Sequence, residues 1–149
     1  MSKLDFVPSH CQRETDETKP KVEANGRKAV FNNNDKALVH LIDVDCWIQG
    51  SEGLRADYIA VKPTVVDVIV ELKGSDIPHA IQQIAATAQH WRESSGTTKM
   101  LGGLLVFRHS PERSASLDNR KKKLIKNGIN LVVDKTGKTE YRFEMFLGK

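Results

Sequence analysis

The stretch VIVELKGSDIPHAIQQI, residues 68–84, decides the fold of this chain. It begins with a predicted strand over residues 65–73, whose side chains alternate between two faces. One face carries Val66, Val68, Val70 and Leu72, and the other carries Ile69, Glu71 and Lys73. Glu71 and Lys73 therefore emerge together at the end of an apolar strand. Since burying a charge is costly unless it is paired or bound to something, these two residues need a partner.

An amphipathic helix is predicted directly after this strand. Gly74 ends the strand, Ser75 or Asp76 caps the helix, and Pro78 is tolerated in its first turn. The apolar residues of the helix recur at spacings of three and four, which gives one buried stripe. The stripe consists of Ile77, Ala80, Ile81, Ile84, Ala88 and Trp91, and the helix ends at Ser94-Ser95-Gly96.

Two strands are predicted before this unit, over residues 38–48 and 54–61. In the first of them Ile42, Val44, Cys46 and Ile48 share one face. The turn Lys62-Pro63-Thr64 then returns the chain, so that the strand over 65–73 lies antiparallel to the second strand.

The remainder of the chain is predicted to add strands to the same sheet. A buried strand over 100–108 and a basic helix over 116–127, closed by Gly128, precede a final hairpin of 129–134 and 138–146. The order β-β-β-α-β-α-β-β predicts an α/β protein with a mixed central sheet flanked by helices.

Length and composition indicate one globular domain. The chain has 149 residues, 39% hydrophobic and 28% charged, which suits a single core. Residues 1–27 are polar and weakly periodic, and they predict a flexible N-terminal extension of a domain over 28–149. No apolar run has the length of a membrane span, and the first twenty residues lack the apolar segment of a secretory signal. Cys11 and Cys46 are too few for a disulfide framework, which favours a reducing, cytoplasmic location.

The strand ends predict a metal site. Ligands tend to bind at strand ends in open α/β sheets, and a hairpin would bring Asp57 close to Glu71. Two neighbouring carboxylates repel each other unless a cation lies between them, and oxygen ligands favour Mg²⁺ or Mn²⁺ over zinc. Lys73 could then orient a water and offset charge on a phosphate. The alternative is a structural ion pair at the end of a strand.

A motif in this chain resembles that of the PD-(D/E)XK nuclease superfamily, which has the restriction-endonuclease-like fold. The motif consists of Asp57, thirteen intervening residues and then Glu71-Leu72-Lys73. The similarity runs from about residue 45 to 107 and includes RADY, VELKG and HAIQQI. The resemblance implies that Asp57, Glu71 and the backbone carbonyl of Leu72 bind the metal. It further implies that Lys73 serves the attacking water and that Gln83 supports the site.

Two departures from the family pattern concern acidic ligands and their surroundings. Ala56 stands where the family has a proline, a position that commonly varies. The helix that opens the family's core often carries another glutamate, and only Asp35 is acidic in the corresponding segment here. Asp45 is therefore a candidate substitute ligand. Asp67 lies about 13 Å along the strand from Glu71, too far to share one ion.

A basic run predicts where nucleic acid would bind. The residues are Arg120, Lys121, Lys122, Lys123 and Lys126. Contacts of such residues to phosphate add affinity and salt dependence, although a basic run is more often a solvated face. The net charge of +4 admits an anionic partner.

The resemblance implies a metal-dependent endonuclease that acts on DNA, leaves a 5′-phosphate and works as a homodimer. The alternative is a catalytically inactive module of the same fold, for example in a defence or toxin-immunity system.

Overall fold

A six-stranded sheet organises the chain in a computed structural model that describes residues 4–48, 53–72, 76–106, 115–134 and 140–147. The strands are β1 (Gln12–Thr15), β2 (Lys21–Ala24), β3 (Arg27–Asn32), β4 (Val39–Asp43), β5 (Tyr58–Lys62), β6 (Val66–Leu72), β7 (Leu101–Val106), β8 (Ile129–Asp134) and β9 (Glu140–Arg142). The helices are α1 (Val44–Trp47), α2 (Ile77–Ser95) and α3 (Ala115–Lys126), with 3-10 turns at Ser9–Cys11 and Phe143–Phe146.

The central sheet is mixed, as predicted. Its strand order is β1-β4-β5-β6-β7-β8, and a second sheet has the order β2-β3-β9. Strands β1, β4, β5 and β6 pair antiparallel, whereas β6, β7 and β8 pair parallel. The α/β class is therefore confirmed.

Strand β6 is covered on both faces, which explains its continuous apolar sequence. Ile69 packs with Ile84, Trp91 and Leu124 from the helices on one face. Val68 and Val70 pack on the other face, in a cluster that contains Phe31, Tyr141, Phe143 and Phe146. The predicted alternation of side chains along this strand is confirmed.

Helix α2 begins and ends where its capping chemistry predicts. The Asp76 carboxylate accepts a hydrogen bond from the backbone N–H of His79, at 3.0 Å. Gly96 has a φ of 75° and donates its N–H to the carbonyl of Arg92. All six residues of the predicted apolar stripe are buried.

The N-terminal segment differs from the predicted flexible extension. Strand β1 pairs with β4 at the edge of the central sheet, β2 pairs with β3, and Leu4 and Val7 lie in the core. The strands within this segment have four residues each, with a single buried residue apiece. Such short strands carry almost no apolar periodicity, because their stability comes from pairing partners that are distant in sequence.

Cys11 and Cys46 form a disulfide across 35 positions of sequence. This bond differs from the expectation of a reducing compartment, in which both cysteines would be free thiols. The bond joins the 3-10 turn before β1 to helix α1. Neither cysteine lies in a local motif that would indicate its partner.

The first predicted strand is shorter in the structure. It ends at Asp43, whose carboxylate accepts a hydrogen bond from the N–H of Cys46 at 3.2 Å and caps α1. The alternation of Val44, Cys46 and Ile48 was therefore wrongly interpreted as strand periodicity. A local cap overrides a weak two-residue repeat here.

The predicted C-terminal hairpin is also wrong. Strand β8 pairs parallel with β7 in the central sheet, whereas β9 pairs parallel with β3 in the second sheet. The turn at 135–138, which was predicted to join them, lies outside the described residues.

Among the described residues, no helix combines the length and apolar character that crossing a bilayer demands.

Candidate functional site

Hydrogen bonds to Val70, Val44 and Leu72 hold Asp57 at the end of the β5–β6 ladder. Its N–H donates to the carbonyl of Val70 at 3.0 Å, and its carbonyl accepts from the N–H of Val44 at 3.2 Å. Its carboxylate Oδ2 accepts from the N–H of Leu72 at 2.8 Å. Because the ladder ends with Tyr58 opposite Val70 and two of these bonds go to the residues on either side of Glu71, Asp57 lies beside the end of β6 that carries Glu71.

Glu71 is a buried carboxylate near the end of β6. Its exposed fraction is 2%. Ile59 pairs with Ile69 across the ladder, and both belong to the core beneath α2. Since side chains alternate along a strand, Glu71, two positions beyond Ile69, shares that face.

Helix α2 positions the segment before Asp57. The Thr87 hydroxyl accepts a hydrogen bond from the N–H of Ala56 at 2.7 Å. Gln83 Nε2 donates to the carbonyl of Arg55 at 3.0 Å, and Gln83 Oε1 is buried with no hydrogen bond among the described residues. Gln83 therefore lies beside the site and supports the chain that leads into it.

Thr87 was missed by the sequence analysis. It is fully buried and follows Ile84 by three positions, so it falls within the apolar stripe of α2. A hydroxyl in such a stripe requires a buried hydrogen-bond partner, which is the signal that would have found it.

The carbonyl of Leu72, the predicted backbone ligand, already accepts a hydrogen bond. Its donor is Nδ2 of Asn25 at 3.1 Å, in the turn between β2 and β3. A carbonyl oxygen has two lone pairs, so one remains for a second partner. The second sheet thus contacts the edge of the site.

Asp45 lies on α1, where its side chain is 77% exposed and its Oδ1 is 3.6 Å from Nε of Arg55. Across the described ranges, the one group of three ligand atoms close enough to share an ion belongs to His10, Cys11 and Cys46. Its two sulfurs are joined in the disulfide, which removes them as thiolate ligands. Asp45 therefore does not form a three-ligand group with Asp57 and Glu71.

Lys73, the predicted catalytic lysine, lies outside the described residues.

Acidic side chains lie near the hydroxyl of Tyr58, the residue after Asp57. The hydroxyl of Tyr58 donates to the carbonyl of Glu23 at 2.6 Å. Burial raises the pKa of Tyr58, and the charges of Asp43 and Asp57 raise it further. Tyr58 packs against the cluster that contains Phe31 and Tyr141, so its pKa describes the opposite face of the sheet from Ile69 and Glu71.

The basic helix α3 presents most of its charge to solvent. Lys121, Lys122, Lys123 and Lys126 are exposed, Arg120 is half-buried, and Leu124 faces the core. Lys123 and Lys126 lie in the last turn, where positive charge also stabilises the helix dipole. The exposed position of these lysines suits helix stabilisation and solvation, and their contact to phosphate stays a prediction.

No protein-family model, curated protein or solved structure matches this chain. The similarity to PD-(D/E)XK nucleases therefore stays a prediction from the residues that carry it.

Proposed function

We propose that this chain is a metal-dependent nuclease with the restriction-endonuclease-like fold. The observation that carries the proposal is the position of Asp57 beside the end of β6, where its carboxylate bonds Leu72, the residue after Glu71. The order of elements around the pair supports it, because β4, β5 and β6 are antiparallel and α2 leads to the parallel strand β7. This order agrees with the fold that the resemblance implies.

Asp57 and Glu71 would hold Mg²⁺ or Mn²⁺, with the Leu72 carbonyl as a further oxygen ligand. All three donors are oxygens, so this part of the chain suits a hard cation. A bound ion of this kind polarises phosphate and lowers the pKa of water. Lys73 is assigned to the attacking water, while Gln83 fixes the segment that carries Asp57.

DNA is the proposed substrate and α3 its contact surface. The exposed lysines of the helix supply positive charge away from the carboxylates, which would themselves repel phosphate. We also propose a homodimer, in which each subunit would cut one strand. A cytoplasmic location remains part of the proposal, although the Cys11–Cys46 disulfide weighs against it, since disulfides persist mainly in oxidising compartments.

Cleavage of supercoiled plasmid tests the enzyme. The protein is incubated with plasmid, single-stranded DNA or RNA, in the presence of Mg²⁺, Mn²⁺ or EDTA. We expect nicking that requires the metal and is lost in Glu71→Gln and Lys73→Ala. Asp57→Asn is preferable to Asp57→Ala, because an amide oxygen can still accept the hydrogen bond from Leu72.

The matched control is Asp16→Asn, which removes a carboxylate from an exposed position of the N-terminal segment. Each variant is first compared with the parent by circular dichroism and thermal unfolding. Loss of nicking in the three site variants but not in the control supports the proposal. Cleavage that survives EDTA, or survives Glu71→Gln, contradicts it.

The role of α3 is tested separately by the salt dependence of DNA binding. Replacing Lys121, Lys122 and Lys123 by glutamine should reduce the slope of log K against log salt by about 0.9 for each phosphate that the helix no longer neutralises. An unchanged slope would assign these lysines to helix stability and solvation alone.

A catalytically inactive module is the second candidate, and two contacts favour it. Asp57 Oδ2 and the Leu72 carbonyl, both proposed ligands, already take part in hydrogen bonds within the protein. They would serve the fold rather than an ion. Absence of cleavage on every substrate, together with tight binding to a protein partner, would support this candidate.

A further inference from the structure

Three side chains that can bind a metal through nitrogen or sulfur lie together at the β1 edge of the central sheet. They are His10, Cys11 and Cys46, and their ligand atoms all lie within 4.8 Å of one another. His10 is exposed, Cys46 is half-buried and Cys11 is buried, so solvent reaches the group from the side of the imidazole. None of the proposed magnesium ligands belongs to this group, which is therefore independent of the proposed nuclease.

Contacts other than the disulfide also fix the two segments that carry these residues. Cys11 directly precedes β1, and Gln12, the first residue of that strand, pairs with β4. The side chain of Gln12 donates to the carbonyl of Val7 at 3.0 Å, which fastens the 3-10 turn that carries His10 and Cys11. On the other side, Asp43 caps α1 through the N–H of Cys46. These backbone positions are thus set by the fold as well as by the bond between the sulfurs.

Reduction of the disulfide makes both sulfurs available as ligands. A dithiol supplies two electrons and two protons: its own sulfurs become a disulfide, while Cys11 and Cys46 become thiols. The Cα atoms of the two cysteines are 5.3 Å apart. Each sulfur can turn about its Cα–Cβ bond, which opens the pair to the separation of about 3.8 Å that two sulfurs, each about 2.3 Å from a tetrahedral zinc ion, require.

We propose that the reduced chain binds one zinc ion through the sulfurs of Cys11 and Cys46 and one ring nitrogen of His10. The two thiols release their protons on binding, and the neutral imidazole supplies a lone pair. Water completes the tetrahedron, as it does in zinc sites with three protein ligands. A cavity of about 450 Å³ beside His10 and Cys11 has room for it.

The disulfide and the zinc complex are alternative states of this one site. Exchange of both thiolates with the oxidised dithiol reforms the bond between Cys11 and Cys46, regenerates the small dithiol and releases the ion. The zinc state belongs to a compartment that keeps thiols reduced, and the disulfide state belongs to an oxidising one.

Zinc fits these ligands better than the ions of the proposed nuclease do. Magnesium and manganese prefer oxygen donors, whereas this group supplies two sulfurs and one nitrogen. Zinc takes such ligands in a tetrahedron and does not itself undergo redox chemistry, so it leaves the thiolates unchanged.

Cobalt binding to the reduced protein tests the proposal. The reductant is a phosphine, because a dithiol would itself bind the metal. Cobalt in a tetrahedral thiolate site gives a sulfur-to-metal charge-transfer band and visible d–d bands. We expect these bands to saturate at one cobalt per chain in the reduced protein and to be absent from the oxidised protein. Zinc should displace cobalt and abolish the visible bands, since its filled d shell has no such transitions.

The thiolate band distinguishes this site from the proposed nuclease. Asp57 and Glu71 bind through oxygen and cannot produce it. The band is also measured without any cleavage of nucleic acid, so either proposal can fail while the other stands.

Two variants assign the ligands. His10→Gln removes the nitrogen ligand from an exposed position and leaves both cysteines in place. It should raise the dissociation constant for zinc, measured by competition with a chromophoric chelator, by at least about tenfold, because losing even a residue outside the coordination sphere commonly costs that much. Cys46→Ser leaves a single sulfur and should not bind cobalt at concentrations that saturate the parent. His79→Gln is the matched control, since this histidine lies on α2 and outside the group.

Circular dichroism of the reduced protein, with and without zinc, accompanies these titrations. If the reduced chain stays folded, zinc should raise its Tm and leave that of the oxidised protein unchanged. If it unfolds, zinc should restore the folded spectrum in the parent and in His79→Gln at concentrations that leave His10→Gln unfolded.

Three results would overturn the proposal. The first is the absence of a thiolate band when the reduced parent is mixed with excess cobalt. The second is equal cobalt binding by the oxidised protein, which would place the metal elsewhere. The third is a dissociation constant for zinc that is the same in His10→Gln as in His79→Gln, which would exclude the imidazole as a ligand.

Discussion

Replacing Thr87 by valine should destabilise the protein at the point where α2 holds the candidate site. Valine has nearly the shape of threonine, so the change removes a hydroxyl without opening a cavity. The hydroxyl accepts a hydrogen bond from the N–H of Ala56 at 2.7 Å. Thr87 and Ala56 are 0% and 1% exposed, so water cannot replace the missing acceptor.

The expected loss of stability follows from the cost of an unsatisfied buried donor. Leaving such a group without a partner costs about 1 to 3 kcal/mol of unfolding free energy. For a domain of this size that corresponds to a decrease in Tm of roughly 3 to 9 °C. Ala56 immediately precedes Asp57, so the change should also loosen the segment that carries the carboxylate.

Urea unfolding measures the first effect, and hydrogen exchange at the amides of Ala56 and Asp57 measures the second. Thr87→Ser retains the hydroxyl and should keep the Ala56 amide protected. Thr97→Val removes a hydroxyl that accepts an exposed N–H of Lys99, so stability should change by less than about 0.5 kcal/mol. A Thr87→Val protein with parental stability and a protected Ala56 amide would refute the reasoning.

Three further predictions concern the rest of the fold. Replacing Cys11 and Cys46 by serine should lower the unfolding free energy by about 3 to 4 kcal/mol, since the disulfide closes a loop over 35 positions. If the parent protein, unfolded without a reductant, shows two reactive thiols, the disulfide is absent and the prediction is contradicted. Burial lowers the pKa of His40 below its ordinary value of 6.5, so its contribution to stability is complete above pH 6.5 and is lost as pH falls towards the folded pKa. In His40→Gln the free energy of unfolding should therefore depend less on pH between pH 7 and 5. If the pH dependence is unchanged, His40 does not cause it. In Gly102→Ala the new Cβ would lie 2.7 Å from Cβ of Phe146. The free energy of unfolding, measured in urea, should therefore decrease by about 1 to 3 kcal/mol. A variant as stable as the parent would contradict this prediction.

Local patterns predicted the centre of the chain well, for identifiable reasons. The two faces of β6 follow from strict alternation, and α2 follows from a capping aspartate, one apolar stripe and Gly96 at its end. Each of these signals depends on residues within a few positions of one another, so it can be interpreted without knowledge of the partner. The antiparallel relation of β5 and β6 was predictable for the same reason, since a short turn joins them.

The candidate site was predictable only in part. The short hairpin predicts that Asp57 lies near Glu71, and the Asp57 carboxylate accepts a hydrogen bond from Leu72, the residue after Glu71. The hydrogen bond from Asn25 to the Leu72 carbonyl was not predictable, because 47 positions separate the two residues. Its donor belongs to a turn between strands that the sequence showed only as polar chain.

The sequence by itself determined the elements whose periodicity and caps are local: the apolar strand β6, the amphipathic helix α2 and the buried strand β7. The tertiary structure decided where the polar segments belong. It placed β1 beside β4, paired β9 with β3 and joined Cys11 to Cys46. The physical reason is that the backbone of a short polar strand can pair with many other strands, so competition within the folded chain selects its partner. The two cysteines, likewise, can form a bond only where the fold brings them together.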